Sequence, residues 1–458
     1  MLLLLALACV SSDPKNAPCI LGCDTGESPV GPDSADTGDS PTDSDTDSAP
    51  DSDTDTDSDT DPDSAPPDDS AVDTGDPVDT ADTAEEEEEE DEAAWLFDDD
   101  TIHVIDITLG AASSSALGSD PYTYVQGDIT IDGIEVPTVG LRLKGKYGSY
   151  RTLAQKAAFK IDFNLYVEGQ EFYGLKKLNL NNMAVDCSMV KEHTAYRVYR
   201  DMGLAAERTG YAWVTVDGHD YGLYNILEQP NKEMLKRFYD HASGNLYDGK
   251  YYLYPDWSYV LLDFTPSAYT FYELEEGDDV ALADVENIVS LVAEWQGRDG
   301  FYDALGEYVD WDTLLLYWAT EQWVGQIDGY VTNRNNNFIY FDAEDGKMEM
   351  IPWDLDYSFL EDSAWGMSWK SPAGVLAQAC QADATCMDEW KDAVRKVVAR
   401  ADADAYADAI DHWADLIEDA AADDPRKECS DTALAATQRA VKTWVKNRSD
   451  GMSTYWSL

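Results

Sequence analysis

The chain has 458 residues, with 92 Asp plus Glu against 31 Lys plus Arg, a formal net charge of −61 and 44% hydrophobic residues. Residues 1–92 hold 30 of the acids and one lysine, a net −29, which leaves −32 on the remaining 366 residues. That remainder has no basic stripe, which argues against nucleic acid as a partner, while its aromatic residues supply a sizeable core.

The first nine residues, MLLLLALAC, set an apolar run and the small Ala6 and Ala8 ahead of Cys9. This is the pattern of a lipoprotein export signal in which Cys9 accepts the lipid. Residues 1–23 are therefore expected to form a signal and anchor, making the protein an exported cell-surface lipoprotein of a bacterial envelope that touches the lipid membrane through Cys9. Six cysteines remain, and in an exported chain they pair; Cys380 with Cys386 is a candidate short loop. Residues 24–94 repeat Asp with Ser, Thr and Pro and end in EEEEEEDE. With little to bury and charges that repel, they are expected to be a disordered acidic linker.

A folded domain is expected over residues 95–458. DITIDGIEV (128–136) reads as two alternating strands around an Asp-Gly turn. LRLKG and FKIDF read as further strands, LKKLNLNN as another, and YAWVTVDGHDYGLYNILEQ (211–229) as a second hairpin. Before that hairpin, SMVKEHTAYRVYRDMG predicts a helix opened by Asp186 or Ser188 and closed by Gly203. After about residue 280 helices dominate, including WDTLLLYWATEQWVG and a run from about Cys386 to Trp456. An N-terminal antiparallel sheet with one helix, followed by a mostly helical half, is an α+β arrangement.

Residues 328–356 read DGYVTNRNNNFIYFDAEDGKMEMIPWDLD. NFIYF and MEMI are short strands joined by the AEDGK turn, so the start of the first lies beside the end of the second. The hairpin gathers Asp328 and the asparagines with Asp354 and Asp356 at one end, both Asp328 and Asp354 at expected exposed positions. Oxygen ligands clustered this way suit a hard cation such as Mg²⁺. On the predicted helix, Ala195, Val198, Tyr199 and Met202 make an apolar stripe with Glu192 one turn earlier. A carboxylate aimed into a core needs a cationic partner. Lys156 is the first choice and Lys160, on the same strand face, the alternative. Five histidines show no metal-ligand spacing.

The 328–356 layout resembles the catalytic half of a protein kinase, with Asp328 ahead of a metal-binding Asn and WDLD in the place of the DFG triplet. GLRLKGKYGS, QKAAFKIDF, FYGLKKLNLNNMAVDCSMVKEHTAYRVYRDMG, YGLYNILEQ, DGYVTNRNNNFIY and IPWDLD, in order over residues 125–365, resemble the spore coat protein H (CotH) kinase family. The resemblance implies an atypical, secreted protein-kinase-like fold that transfers phosphate from ATP to protein Ser or Thr with Mg²⁺ or Mn²⁺. It implies that Asp328 orients or deprotonates the acceptor hydroxyl, that Asn336 (or Asn333) and Asp354 hold the metal with help from Asp356, and that Lys156 with Glu192 positions ATP. Lys146, Gly148 and Ser149 would form a phosphate-covering turn, and Glu228 would lie near the adenine. The chain departs from the family at QKAA, where Lys-Lys-Ser is usual, and in a longer Asp328 loop. The substrate implied is an unknown surface or secreted protein. The competing expectation is a surface adhesion or structural module that keeps the fold without turnover.

Overall fold

The computed structural model describes residues 91–458 apart from 255 and 257. Cys9, Cys19, Cys23 and nearly all of the acidic segment lie outside the described residues, as do the expectations placed on them. The described residues belong to one compact unit, Glu85–Leu458. The fold starts earlier than residue 95: Ala93 is buried and Asp91 pairs with Arg208, so the last residues given to the linker are part of the domain.

The N-terminal half is built from β1 (Ile102–Thr108), α1 (Gly110–Ser119), β2 (Val125–Ile131), β3 (Ile134–Lys144), β4 (Ala158–Asp162), β5 (Lys177–Asn181), α2 (Lys191–Asp201), β6 (Thr209–Val216) and β7 (His219–Glu228). The seven strands close into a barrel in the order β1-β2-β3-β4-β5-β7-β6. Six of the seven pairings are antiparallel and the seventh, parallel, closes the sheet; this half holds two helices, α1 and α2, where one was expected. The alternating run IHVIDIT forms β1, which pairs antiparallel with β2 and parallel with β6. LRLK is the end of β3 rather than a strand of its own. Both Asp-Gly turns are present, with Asp132 and Gly133 at φ 49° and 82° and Asp217 and Gly218 at 50° and 74°. Two successive positive φ values match the twist of the flanking strands and favour Asp followed by Gly.

Strand alternation sorts the side chains. Leu141 and Leu143 of β3, Phe159 and Ile161 of β4, and Leu178 and Leu180 of β5 pack into the barrel core. Arg142, Lys144, Lys160, Asn179 and Asn181 alternate with them and line the opposite face. Helix α2 packs against that face. It starts at Lys191, whose amide donates to Asp186 Oδ2 at 3.0 Å, and ends before Gly203 at φ 82°. Ala195, Val198, Tyr199 and Met202 join the larger core of the second half.

The second half runs through α3 (Lys232–Leu235), β8 (Asn245–Asp248), β9 (Tyr252–Leu253), β10 (Tyr259–Val260), β11 (Glu273–Glu276), α4 (Ala283–Trp295), α5 (Phe301–Leu305), α6 (Trp311–Val324), α7 (Tyr330–Asn333), β12 (Asn337–Phe341), β13 (Met348–Pro352), α8 (Val375–Ala382), α9 (Ala384–Arg400), α10 (Ala403–Asp423) and α11 (Asp431–Trp456). Helix α6 is apolar nearly all round and is accordingly the buried centre of this half, with Trp318 and Trp323 fully enclosed. Strands β11-β8-β12-β13 form a second sheet. Disulfides join Cys380 to Cys386 and Cys187 to Cys429.

Candidate functional site

The polar centre lies where the β12–β13 hairpin meets α2 and β3. Asp310 caps the start of α6, and Gly325, at φ 64°, ends it and turns the chain into 326–328. The buried Glu321 then accepts from the amides of Tyr330 (3.2 Å) and Val331 (3.0 Å), which fixes the loop carrying Asp328. Asn337 pairs with Pro352 at the open end of the hairpin, so the residues before and after it converge. Asn336 Nδ2 donates to Asp328 Oδ2 at 3.0 Å and to the Asp354 carbonyl at 3.3 Å. Gln326 Nε2 donates to that same carbonyl at 2.9 Å. Asn336 and Asp354 both have left-handed backbone, φ 48° and 49°, so both ends of the hairpin are held in uncommon conformations where the acids meet.

Asn333 and Asn336 both reach Asp328, Asn333 at 2.5 Å, so the loop presents both metal-binding candidates to the same carboxylate. Only Asn336 also contacts the Asp354 segment. The acids are less exposed than expected. Asp354 is 29% exposed, Asp328 half-buried and Asp356 buried. Burial pushes the Asp328 carboxyl up to about 6, against the pull of its Asn333 hydrogen bond. Burial, then the charges of Asp354, Glu192 and Asp328, hold Asp356 well above the usual carboxylate range.

Glu192 enters from α2 as the stripe required. Its carboxylate accepts from Asn181 Nδ2 at 2.7 Å and Asn225 Nδ2 at 2.9 Å. Burial, and after it the charge of Asp354, raise it to about 7. Its cation is neither lysine proposed for it. Lys156 lies two residues ahead of β4, outside the strand alternation, and its ammonium crosses the Tyr224 ring to Asp424 Oδ2, 2.5 Å away. Lys160 does lie on the face opposite the barrel core, but its neighbours are Glu275 and Asp248, and burial lowers it to about 8. The lysine at the centre is Lys144, at the end of β3: its Nζ is 2.5 Å from Asn181 Oδ1, 3.8 Å from Asp354 Oδ1 and 4.9 Å from the centre of the Trp353 ring. The strict alternation of LRLK, with Lys144 in phase with Arg142, was the available signal.

Residues 145–149 form the turn after β3. Gly148 has φ 83°, and a Cβ there would meet Tyr357 Oη at 2.7 Å, so the turn lies directly on the segment that follows Asp354. The Ser149 carbonyl accepts from Asn182 Nδ2 at 3.1 Å, and Lys146 Nζ lies 4.9 Å from the Tyr251 ring centre. Glu228 is placed differently from its expected role. Its carboxylate is taken up by Arg208 and Arg237 at the end of β7, which leaves little acceptor capacity for a base.

These residues define an α+β protein whose acids, amides and a lysine converge where a closed sheet meets a helical half. The chain belongs to the CotH kinase protein family, whose profile matches residues 141–452. It is similar to the inner spore coat protein H of Bacillus subtilis (strain 168), 26% identical over 225 residues, covering 47% of this chain and 58% of that relative. The match thus spans little more than half the relative's length. Among solved structures, a chain of the HipA, HipB and operator DNA complex of a Shewanella oneidensis MR-1 toxin–antitoxin system aligns at 13% identity with a TM-score of 0.32, covering 78% of this chain and 74% of that one.

Proposed function

We propose that this protein is an atypical protein kinase that moves the γ-phosphoryl group of ATP to a Ser or Thr hydroxyl of a surface or secreted protein, with Mg²⁺ or Mn²⁺. The observation that carries the reading is the convergence of Asp328, Asn336 and Asp354 from one half with Lys144 and Glu192 from the other. Such a centre has the parts phosphoryl transfer requires: a residue for the acceptor hydroxyl, oxygen ligands for a metal and a lysine for phosphate.

The residues fit a divalent cation. The charges of Asp354, Glu192 and Asp328 all act on the buried Asp356, Lys144 Nζ lies 3.8 Å from Asp354 Oδ1, and Asp356 Oδ1 has no hydrogen-bond partner among the described residues. Asn336, Asp354 and Asp356 would hold the ion. When bound, it offsets the negative charge of the phosphate oxygens. Lys144 contacts phosphate in place of Lys156, and Glu192 holds it in position through Asn181. Asp328 accepts the hydroxyl proton as the new O–P bond forms and the bond from the γ-phosphorus to the β–γ bridging oxygen breaks, releasing ADP. The two disulfides support the reading of an exported protein, because such bonds persist in oxidising compartments. Anchoring through Cys9 is part of the same proposal.

The test is incubation of the purified full chain with γ-labelled ATP, Mg²⁺ or Mn²⁺ and a surface-protein extract, alongside calorimetric ATP binding. Label on Ser or Thr, absent in Asp354→Asn, supports the kinase. A chain that neither binds ATP nor moves label overturns it in favour of an adhesion module.

A further inference from the structure

The segment joining α10 to α11 leaves the helical half and fastens onto the loop between β3 and β4. Asp424 Oδ2 takes the Lys156 ammonium at 2.5 Å, and both side chains are buried. Asp424 also accepts from the amides of Leu223 (3.1 Å) and Arg426 (2.8 Å). Room for it is made by Gly222 at φ 96°, where any Cβ would collide with the Asp424 carboxylate. Arg426 lies 3.5 Å over the Tyr221 ring and donates to the Leu153 and Gln155 carbonyls. Glu428 accepts from Arg151 Nη2 at 2.6 Å, and Cys429 is disulfide-bonded to Cys187, four residues before α2. Four residues of this short segment therefore hold one loop and the approach to one helix, across more than 200 residues of sequence.

The held loop is the one whose start lies against the segment that follows Asp354. Asn182 Nδ2 links its two ends, donating to the carbonyls of Ser149 and Lys156, and its neighbour Asn181 carries Glu192 and Lys144. Gly148, three residues before Arg151, rests on Tyr357. A buried ion pair adds little net stability, and its better-attested use is to fix one geometry among alternatives.

We propose that residues 424–429 are a positioning strap, latched by Cys187–Cys429, that holds the β3–β4 loop down on the ATP phosphates and so sets nucleotide affinity without touching nucleotide. The proposal rests on the kinase reading above. Its test uses the full chain and the variants Cys429→Ser, Glu428→Arg and the charge swap Glu428→Arg with Arg151→Glu. Hydrogen exchange of amides 145–157 is measured together with KM and kcat for ATP. Cys429→Ser and Glu428→Arg should each speed exchange in this loop by about tenfold or more, with the rest of the barrel unchanged. KM for ATP should rise about fivefold while kcat changes much less, and the charge swap should restore both. Unchanged loop exchange in both single variants overturns the strap, even if Cys429→Ser alone proves hard to fold. Faster exchange with an unaltered KM overturns its role in nucleotide affinity. Failure of the parent chain to bind ATP sinks the kinase reading instead, and the exchange measurement distinguishes the two failures.

Discussion

Lys144 reaches to Asp354, its Nζ 3.8 Å from Oδ1 while the same nitrogen is anchored on Asn181. One ammonium thereby joins the N-terminal sheet to the acid-lined end of the hairpin. Lys144→Met should weaken metal-dependent ATP binding by at least tenfold, equivalent to about 1.4 kcal/mol, and abolish transfer. Lys160→Met, at a position whose neighbours are Glu275 and Asp248, should leave phosphate contacts in place. Calorimetry on both variants separates them, and equal losses would remove Lys144 from its assigned role.

Asp328 and Asp354 share Asn336 as a partner and are expected to differ in what they do. Asp354→Asn should weaken ATP binding in Mg²⁺ and abolish transfer. Asp328→Asn should bind ATP and metal nearly as the parent does but transfer at a rate lower by about two or more orders of magnitude, the range for loss of a positioned base. Circular dichroism checks folding, and binding is compared with label transfer. Loss of ATP binding in Asp328→Asn would assign that residue to the metal instead.

The Lys156–Asp424 pair predicts a stability effect. Removing one member strands a buried charge, so Lys156→Met should cost about 3–5 kcal/mol in chemical denaturation. Lys156→Met combined with Asp424→Asn should cost less than the sum of the single changes. Additive losses would mean that the two side chains do not interact energetically.

His193 gives the pH dependence. It is buried, stacked 3.9 Å from Tyr211 and hydrogen-bonded through Nδ1 to Thr209 at 3.0 Å. Burial, and after it the charge of Arg200, lower its pKa from 6.5 to about 3. The folded protein therefore keeps the ring neutral while the unfolded chain takes up a proton below about pH 6.5. Stability from this group is complete above that pH and is lost as pH falls towards 3, by about 2 kcal/mol at pH 5. His193→Phe should flatten the fall in unfolding free energy between pH 6.5 and 5 by about that amount. An unchanged slope would show that the imidazole is not held neutral.

Local patterns were legible and long-range ones were not. The hairpin bracketing Asp328, Asn336 and Asp354 followed from two short strands and a turn. Glu192 followed from its place on the α2 stripe. The alternation of LRLK places Lys144 in phase with Arg142, whereas the resemblance points to the lysine before AAFKIDF. The partner of Lys156 lies 268 residues away, and no local periodicity encodes such a contact. The parallel pairing of β1 with β6 is equally non-local. For Glu228 the resemblance alone implies a place near the adenine, whereas Arg208 and Arg237 determine what its carboxylate can do.

Closure of the seven-stranded sheet also governs how the protein meets other chains. A barrel has no outer strand, so the N-terminal half presents no row of unpaired amides and carbonyls to which a stray extended peptide can add. The second sheet is open, with β11 and β13 outermost. The β13 side is partly occupied by residues 308–310, which exchange backbone hydrogen bonds with Met348. The β11 side reads Glu-Leu-Glu-Glu, a density of like charge that repels another acidic copy of this chain. Backbone-mediated self-association is thus blocked by geometry on one sheet and discouraged by charge on the other.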